Sequence, residues 1–346
     1  MAATLVFLAA ALAQAPDRSP EEPRVVSEVR VSRIILDAWV TGRDGEPLAG
    51  LSRSDFRVTV DGHEAEVEAA EWIPADVPEI GPPLEAAGAG IGADPAPREA
   101  PSPPGRLLVV FVQGDIGRFR TLGTMHAGHH LGPLLDSLRP SDRVAVVSFD
   151  SHLKLRQDFT NDPAAIRRAF FASLAFGAPE SGPAALDPGI SIASRLDPEE
   201  ALRAASVDRA LELVGRALAP IPGGKAVLYF GWGFRVDRSP RETREHLRAL
   251  AAVEKARVTV FSIDVTLADW HTLEEEMRWV SEVTGGTYES AFHFPSGAVF
   301  RLARRLAGRY VLVCVRPDLP AGSHRVAVRL SGREGTVTAR TYTVDP

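Results

Sequence analysis

The 346-residue sequence contains a single cysteine, Cys314, and no surplus of basic residues. A lone cysteine cannot close a disulfide within the chain, so the cysteine count does not indicate a redox compartment. Lysine and arginine together number 39 against 45 aspartates and glutamates, which leaves a net charge of -6. Because nothing in this balance neutralises phosphates, the sequence predicts no nucleic-acid partner.

Long hydrophobic runs are also absent. Crossing a bilayer takes about 20 consecutive apolar residues. The N-terminal apolar run ends by Ala15, and no later run is longer. With 45% hydrophobic and 24% charged residues, the composition is typical of a soluble globular protein.

Residues 1–15, MAATLVFLAAALAQA, predict a signal peptide. The run is apolar and offers two A-x-A cleavage patterns; the one ending at Ala13 is favoured because Pro16 disfavours cleavage after Ala15. No cysteine follows, so no lipid anchor is implied. We therefore expect export, to a periplasm or beyond the cell, with no integral membrane segment after cleavage. The missing basic residue before the run leaves an uncleaved anchor or a misassigned start as the alternative.

Changes in composition and periodicity divide the remaining chain. Phe56, Val58 and Val60 alternate before Asp61-Gly62, which is a hairpin signature. Because both terminal β segments are too small for separate cores, we expect them to form one β-sandwich-like module. The predicted segments are β structure at 25–73, a Pro/Ala/Gly linker at 74–105, an α/β domain at 106–308 with an insertion at 177–195, and β strands at 309–346.

The central segment combines buried strands with amphipathic helices. Continuous apolar runs at Leu107–Val112, Val144–Phe149, Ala226–Phe230 and Val258–Ile263 are typical of parallel strands covered on both faces. Between them, apolar residues recur at helical spacing, as in the segment led by Val207. Proline after a capping residue at Asp162, Asp197 and Ser239, and a capping box of Thr272 with Glu275, predict helix starts. This alternation predicts an open, mostly parallel α/β sheet.

The order of these patterns resembles a von Willebrand factor type A domain, and more narrowly the bacterial VWFA-related exported proteins. The segments that carry the resemblance are Arg143–Phe149, Lys225–Gly233 and Thr284-Gly285-Gly286-Thr287 in the centre, and Val40-Thr41, Asp44-Gly45, Gly50-Leu51, Asp55-Phe56, Asp61-Gly62, Tyr310 and Ala339-Arg340 in the flanks. The resemblance implies a Rossmann-like sheet whose rim holds a metal-ion-dependent adhesion site, built from Asp, Ser and Thr oxygens.

That implied metal site is degenerate in this sequence. The first ligand loop, Asp-x-Ser-x-Ser in the family, corresponds to Gln113-Gly114-Asp115-Ile116-Gly117, which keeps only one charged oxygen ligand. The later aspartate position falls on Trp232, and an indole cannot ligate Mg²⁺. The expected threonine falls near Ala205, with Ser206 as the possible substitute. We therefore expect no metal and no other cofactor.

With the ligands lost, the rim is predicted to bind a partner protein through Gln113, Asp115, Gly117, Ser206, Trp232 and Phe234. Aromatic side chains are enriched at interface hot spots. The alternative is that Trp232 and Phe234 only pack against their own loop. The expected function is an exported, non-catalytic binding module for an unknown protein.

Enzymatic and structural roles are the competing hypotheses. Asp115, Asp150 and Asp264 each follow an apolar run, where a metal-dependent hydrolase keeps carboxylates, although such residues commonly cap turns. No nucleophile elbow or phosphate-binding loop is present, and Gly88–Gly92 lies in the linker. His126, His129 and His130 have a spacing that suits zinc, but solvated or capping histidines are favoured. A structural envelope scaffold remains the third alternative.

Overall fold

The computed structural model describes residues 32–74, 105–176, 188–234 and 240–344. The predicted signal peptide, nearly all of the predicted linker, residues 177–187 of the predicted insertion and the predicted cap Ser239 lie outside the described residues. Within them, no helix is long and apolar enough to cross a membrane.

The described strands are β1 (Arg33–Thr41), β2 (Phe56–Val60), β3 (His63–Ala65), β4 (Val67–Pro74), β5 (Leu107–Gln113), β6 (Arg143–Phe149), β7 (Leu153–Thr160), β8 (Lys225–Gly231), β9 (Val258–Asp264), β10 (Tyr288–Ser290), β11 (Gly308–Val315), β12 (Ser323–Leu330), β13 (Thr336–Ala339) and β14 (Tyr342–Val344). The helices are α1 (Arg118–His129), α2 (Gly132–Asp136), α3 (Pro163–Ala172), α4 (Pro198–Leu202), α5 (Val207–Leu218), α6 (Pro240–Lys255), α7 (Glu274–Thr284) and α8 (Pro295–Arg305).

The central sheet has six strands in the order β10-β9-β8-β5-β6-β7. Neighbours from β10 to β6 run parallel, and β7 runs antiparallel to β6. Counted along the chain from β5, this is the 3-2-1-4-5-6 order of a Rossmann-like sheet. The predicted open, mostly parallel α/β fold is confirmed.

Apolar residues fill both faces of this sheet, which explains the unbroken apolar runs. On β5, Val109 and Phe111 join a core covered by α5, α6 and α7. Leu108 and Val110 point to the opposite core, covered by α1, α2, α3 and α8. Each such buried aliphatic side chain contributes about 1.5–3 kcal/mol relative to exposure.

The edge strand β7 was not predicted from the sequence. Lys154, Arg156 and Asp158 interrupt its apolar pattern, yet all three are buried. Asp158 accepts hydrogen bonds from the backbone N–H of Ile192 at 2.9 Å and from the Ser191 hydroxyl at 2.6 Å. Because these three charged residues are buried inside the fold, hydrophobic periodicity does not reveal the strand.

Helix starts agree with the sequence in two cases and differ in one. Asp162 and Asp197 accept hydrogen bonds from the first backbone N–H groups of α3 and α4. The predicted capping box of Thr272 and Glu275 is wrong, because α7 begins at Glu274 after Leu273, without a side-chain cap. The backbone N–H of Leu273 donates instead to His271 Nδ1, at 3.3 Å.

Strands from both ends of the chain form two further antiparallel sheets, ordered β13-β1-β11-β4 and β14-β12-β2-β3. They share one apolar core, so the predicted sandwich built from N- and C-terminal strands is confirmed. Asp61 and Gly62 connect β2 to β3 with φ values of 49° and 83°, the left-handed pair that a tight hairpin turn requires.

A buried ion cluster joins the sandwich to the α/β domain. The Asp37 carboxylate on β1 accepts a hydrogen bond from Arg309 Nε at 2.9 Å and one from Arg257 Nη2 at 2.9 Å. Burial alone raises the pKa of Asp37, but the two guanidinium groups outweigh burial and hold the pKa below its ordinary value. Next to it, the Trp39 ring meets Phe261 edge-on, with centroids 5.3 Å apart.

Asp37→Asn should therefore destabilise the protein by about 3–5 kcal/mol, since it removes the negative charge between two largely buried arginines. Urea denaturation measures the change. Glu334→Gln is the matched control, because Glu334 pairs with Arg43 on the surface, where both side chains are more than 70% exposed; its cost should stay within about 0.5 kcal/mol. Equal costs for the two variants would contradict the assigned role of Asp37.

Candidate functional site: the carboxyl edge of the central sheet

The predicted site residues lie where the strands of the central sheet end. β5 lies in the middle of the sheet, with β6 on one side and β8 on the other. The order in which successive strands are added therefore reverses direction at β5. In open α/β sheets, the crevice at such a switch point is the usual place for a ligand. The loops after β5, β8, β9 and β10 share this edge.

Gln113, the last residue of β5, is 4% exposed and braces the turn after β8. Its Oε1 accepts a hydrogen bond from the Trp232 backbone N–H at 3.0 Å and lies within hydrogen-bond distance of the Tyr229 hydroxyl. That hydroxyl is also 2.9 Å from the Gly233 carbonyl oxygen. Gln113 is therefore an internal brace, and its predicted role as a contact residue is corrected.

The turn at Gly231-Trp232-Gly233 depends on its glycines. A Cβ atom at Gly231 would lie 2.3 Å from the Tyr229 ring. Gly233 has a φ of 138°, a conformation that side chains with a Cβ rarely adopt. The turn therefore requires glycine at both positions.

Asp115 is bound by a cation from its own chain. Arg120 Nη1 donates to Asp115 Oδ2 at 2.6 Å, and the Gly117 backbone N–H donates to Oδ1 at 2.9 Å. Partial burial raises the pKa of Asp115, but these hydrogen bonds outweigh burial and lower it. Arg120 Cζ also lies 3.7 Å from the centre of the Trp232 ring, a cation-π arrangement. Asp115, Arg120 and Trp232 thus form one stack.

Trp232 and Phe234 have different environments. The Trp232 ring is partly buried under Arg120, and its Nε1 has no hydrogen-bond partner among the described residues. Phe234 is 1% exposed and stacks on Tyr229, with ring centres 4.6 Å apart. The predicted aromatic contact surface is therefore corrected for Phe234, because it packs in the core.

Gly117 precedes α1, and its neighbours are the apolar residues that sequence reasoning missed. Ile116 and Phe119 are 77% and 71% exposed. Further along the same edge, Trp270 after β9 and Phe294 after β10 are 65% and 73% exposed. We call Ile116, Phe119, Trp270 and Phe294 the apolar rim. The sequence does contain a signal for these residues. They are large and apolar, and they lie in a segment that has no clear apolar helical face.

Ser206 caps α5, and its hydroxyl is occupied by contacts within the chain. Its hydroxyl accepts a hydrogen bond from the Arg209 backbone N–H at 3.1 Å and donates to Glu245 on α6 at 3.2 Å. The first contact caps α5 and the second joins α5 to α6. These contacts do not favour its predicted role as a substitute metal ligand or rim contact.

Next to Ser206, a buried histidine links three helices. His246 on α6 places Nδ1 2.7 Å from Asp208 on α5 and Nε2 3.1 Å from Glu276 on α7. The second contact is an ion pair by distance, although Nε2 is not aligned for a hydrogen bond. Burial lowers the pKa of His246, but the two carboxylates outweigh burial and raise the pKa to about 9.

The remaining strand-end aspartates each have their own partners. Asp150 pairs with Lys154 Nζ at 2.6 Å, and both side chains are almost fully buried. Asp264 accepts hydrogen bonds from His271 Nε2 and the Tyr288 hydroxyl, both at 2.7 Å. Burial and this hydrogen bond raise the pKa of Tyr288. Each carboxylate has its own set of donors, so these aspartates serve local structure.

The residues at this edge do not fit a divalent cation. The Arg120 guanidinium holds one Asp115 oxygen, the Ser206 hydroxyl holds a helix start, and Trp232 offers no oxygen. Across the described ranges, no three His, Cys, Asp or Glu side chains form a group that could hold a metal ion. His126, His129 and His130 are exposed at the end of α1. Burial raises the pKa of Cys314 to about 12, which disfavours a reactive thiol.

Comparison with known proteins shows that the chain is similar to several solved structures. No family model and no curated protein matches the chain. Solved type A domains are among the structures that it resembles. A von Willebrand factor type A protein from Catenulispora acidiphila is 11% identical, covering 85% of this chain and 75% of that chain, with a TM-score of 0.41. An aerotolerance-related membrane protein from Bacteroides fragilis is 14% identical, covering 57% and 98%, with a TM-score of 0.40.

The manganese-loaded TRAP protein of Plasmodium vivax is 12% identical, covering 68% of this chain and 94% of that chain, with a TM-score of 0.37. Because these sequence identities and TM-scores are low, no residue role is transferred from these proteins to this chain. The Rossmann-like fold of the α/β domain follows from its own strand order and direction.

Mn²⁺ titration should give no saturable micromolar binding, because Asp115 is already paired with Arg120. Isothermal calorimetry measures this directly, with Asp115→Ala compared with Asp269→Ala as the matched control, since Asp269 is 80% exposed. Saturable binding that disappears only in Asp115→Ala would contradict the prediction. Anomalous density beside Asp115 in crystals soaked with manganese would do the same.

The stability that His246 contributes should depend on pH. Its pKa of about 9 in the folded chain lies above the ordinary value of 6.5. The contribution is therefore full below pH about 6.5 and is lost as the pH rises through about 9. His246→Gln should cost at most about 3 kcal/mol at low pH and progressively less above neutrality. Urea denaturation from pH 6 to 9.5 measures the difference, with the exposed Leu202→Ala as a pH-independent control. A constant cost for His246→Gln would refute the charged state of His246.

Proposed function

We propose that this protein is an exported, non-catalytic binding module that contacts a partner protein through the apolar rim. One observation carries the proposal: the carboxylate that would hold an ion is bound by Arg120, while Ile116 and Phe119 beside it are 77% and 71% exposed. A partner that docks here gains from apolar burial, at about 25 cal/mol per Å², and makes no coordinate bond.

The arrangement of this edge supports binding through apolar contacts, without a bound metal ion. The Asp115, Arg120 and Trp232 stack compensates its own charges, so a partner does not have to supply a cation or a carboxylate. The apolar rim lies on the loops after β5, β9 and β10 and on the first turn of α1. Asp269 Oδ1 lies 2.5 Å from His293 Nε2, and this contact joins the loops after β9 and β10. Exposed apolar residues that share one edge are typical of interaction sites.

Catalysis has less support than binding. Asp115, Asp150 and Asp264 are each engaged by separate cations or hydroxyl groups. A hydrolase built on them would need these partners to be displaced. The proposed export rests on the sequence of residues 1–15. The structural-scaffold alternative predicts that the apolar rim has no occupant.

Substitution of the apolar rim tests the proposal. The double variant Ile116→Asp with Phe294→Asp should reduce capture of the partner at least tenfold, because two apolar contacts become charged. The measurement is photo-crosslinking in the native envelope fraction from a probe at position 119, followed by mass spectrometry. Leu202→Asp is the matched control, since Leu202 is also exposed, at 65%, but lies on α4.

A single crosslinked protein seen from position 119 and not from position 202, unaffected by EDTA, is the expected result. Loss of the crosslink in EDTA would mean that the partner is held through an ion. Identical crosslinks from positions 119 and 202 would show that the rim has no selective occupant.

A further inference from the structure

A cleft of about 240 Å³ opens between α6, α7 and the end of the chain. Leu247 and Leu250 of α6 form one wall, Trp279 of α7 forms another, and Tyr342 of β14 closes the third side. Leu247, Trp279 and Tyr342 are 54%, 39% and 43% exposed, although each is large and apolar or aromatic. Three of the exposed large side chains of the described residues thus line one concave site.

The helix α6 supplies this wall with a face that the core uses only in part. Ala249 and Val253 of α6 are buried in the core of the α/β domain. Leu247, Leu250 and Glu254 follow each other at spacings that place them on one side of the helix, and all three line the cleft. Leu250 also packs partly against the core, whereas Leu247 is 54% exposed.

A guanidinium group lies in the lining of the same cleft. The Arg340 side chain is 13% exposed, and its Nη1 lies 3.6 Å from Glu254 Oε1 and 3.3 Å from the Glu254 carbonyl oxygen. Charge-assisted hydrogen bonds between such groups are normally about 2.7–2.9 Å long, so Glu254 compensates Arg340 only loosely. Burial lowers the pKa of Arg340, which reflects a poorly hydrated cation.

The charges around Arg340 belong to one cluster. The ionised groups that act on Arg340 include Glu254, Asp37 and Arg257, and Asp37 is shared between Arg257 and Arg309. An anion placed beside Arg340 would meet a guanidinium that Glu254 contacts only loosely, and apolar walls adjoin that position.

We propose that this cleft binds a small amphipathic carboxylate, with the carboxylate on Arg340 and an acyl or aryl body against Leu247, Leu250 and Trp279. An apolar cavity with one convergent charged group is the usual form of a small-molecule site. The site is separate from the apolar rim, so its occupancy and the proposed protein binding can fail independently.

Octanoate, kept below its micelle concentration, is the probe, and octan-1-ol is the neutral analogue of the same length. Isothermal calorimetry on the full chain should give saturable octanoate binding at least tenfold tighter than that of octan-1-ol. Arg340→Met should weaken octanoate binding at least tenfold and leave octan-1-ol nearly unchanged, because the variant removes only the charge. Arg340→Lys keeps the positive charge, so it should retain part of the preference for octanoate over octan-1-ol.

Leu247→Asp keeps the proposal testable if the Arg340 variants do not fold. Leu247 is exposed, so the variant should fold, and the new carboxylate should weaken octanoate binding at least tenfold and more than it weakens octan-1-ol. Leu202→Asp, which adds the same charge on α4, should change neither. No octanoate binding, or equal affinity for octanoate and octan-1-ol, would overturn the proposal. A dimer in sedimentation velocity that Leu247→Asp converts to a monomer would overturn it too, since a second copy would then cover the cleft.

Discussion

The carboxyl edge of the central sheet depends on the contact of Arg120 with Asp115 and Trp232. The guanidinium donates to the carboxylate at 2.6 Å and covers the indole ring at 3.7 Å. A charge that would otherwise need an external cation is satisfied inside the chain, and an aromatic ring that would otherwise contact water is covered. At this edge Asp115 is therefore occupied by Arg120, and the large side chains exposed beside it are apolar.

This contact keeps its geometry because the strands beneath it are braced across the sheet. Gln113 on β5 holds the turn after β8 through the Trp232 backbone N–H, and Phe234 anchors the same turn by stacking on Tyr229. Below it, His246 ties α6 to α5 and α7 through two carboxylates. These contacts preform the edge, so the proposed binding of a partner would cost little conformational entropy.

At the opposite end of the strands, the sandwich is attached to the α/β domain by charge as well as by packing. Asp37 joins Arg257 and Arg309, and Arg340 extends this cluster to the cleft between α6 and α7. Asp37 holds the sandwich in place through Arg257 and Arg309, and Arg340 lies beside the apolar walls of the cleft. The structural and the proposed binding roles of these arginines therefore belong to one cluster.

Local patterns in the sequence determined the parallel strands and the hairpin at Asp61-Gly62, because each of these depends on residues close together in the chain. Only the tertiary structure decided that Phe234 lies in the core, that β7 buries its charged residues and that Arg120 pairs with Asp115 above the Trp232 ring. Gln113 and Trp232 are 119 residues apart, and such pairings arise from strand order, which hydrophobic periodicity does not encode. Burial and compensation of charge are properties of the packed molecule, so residue type alone could name the site but could not assign the roles of its members.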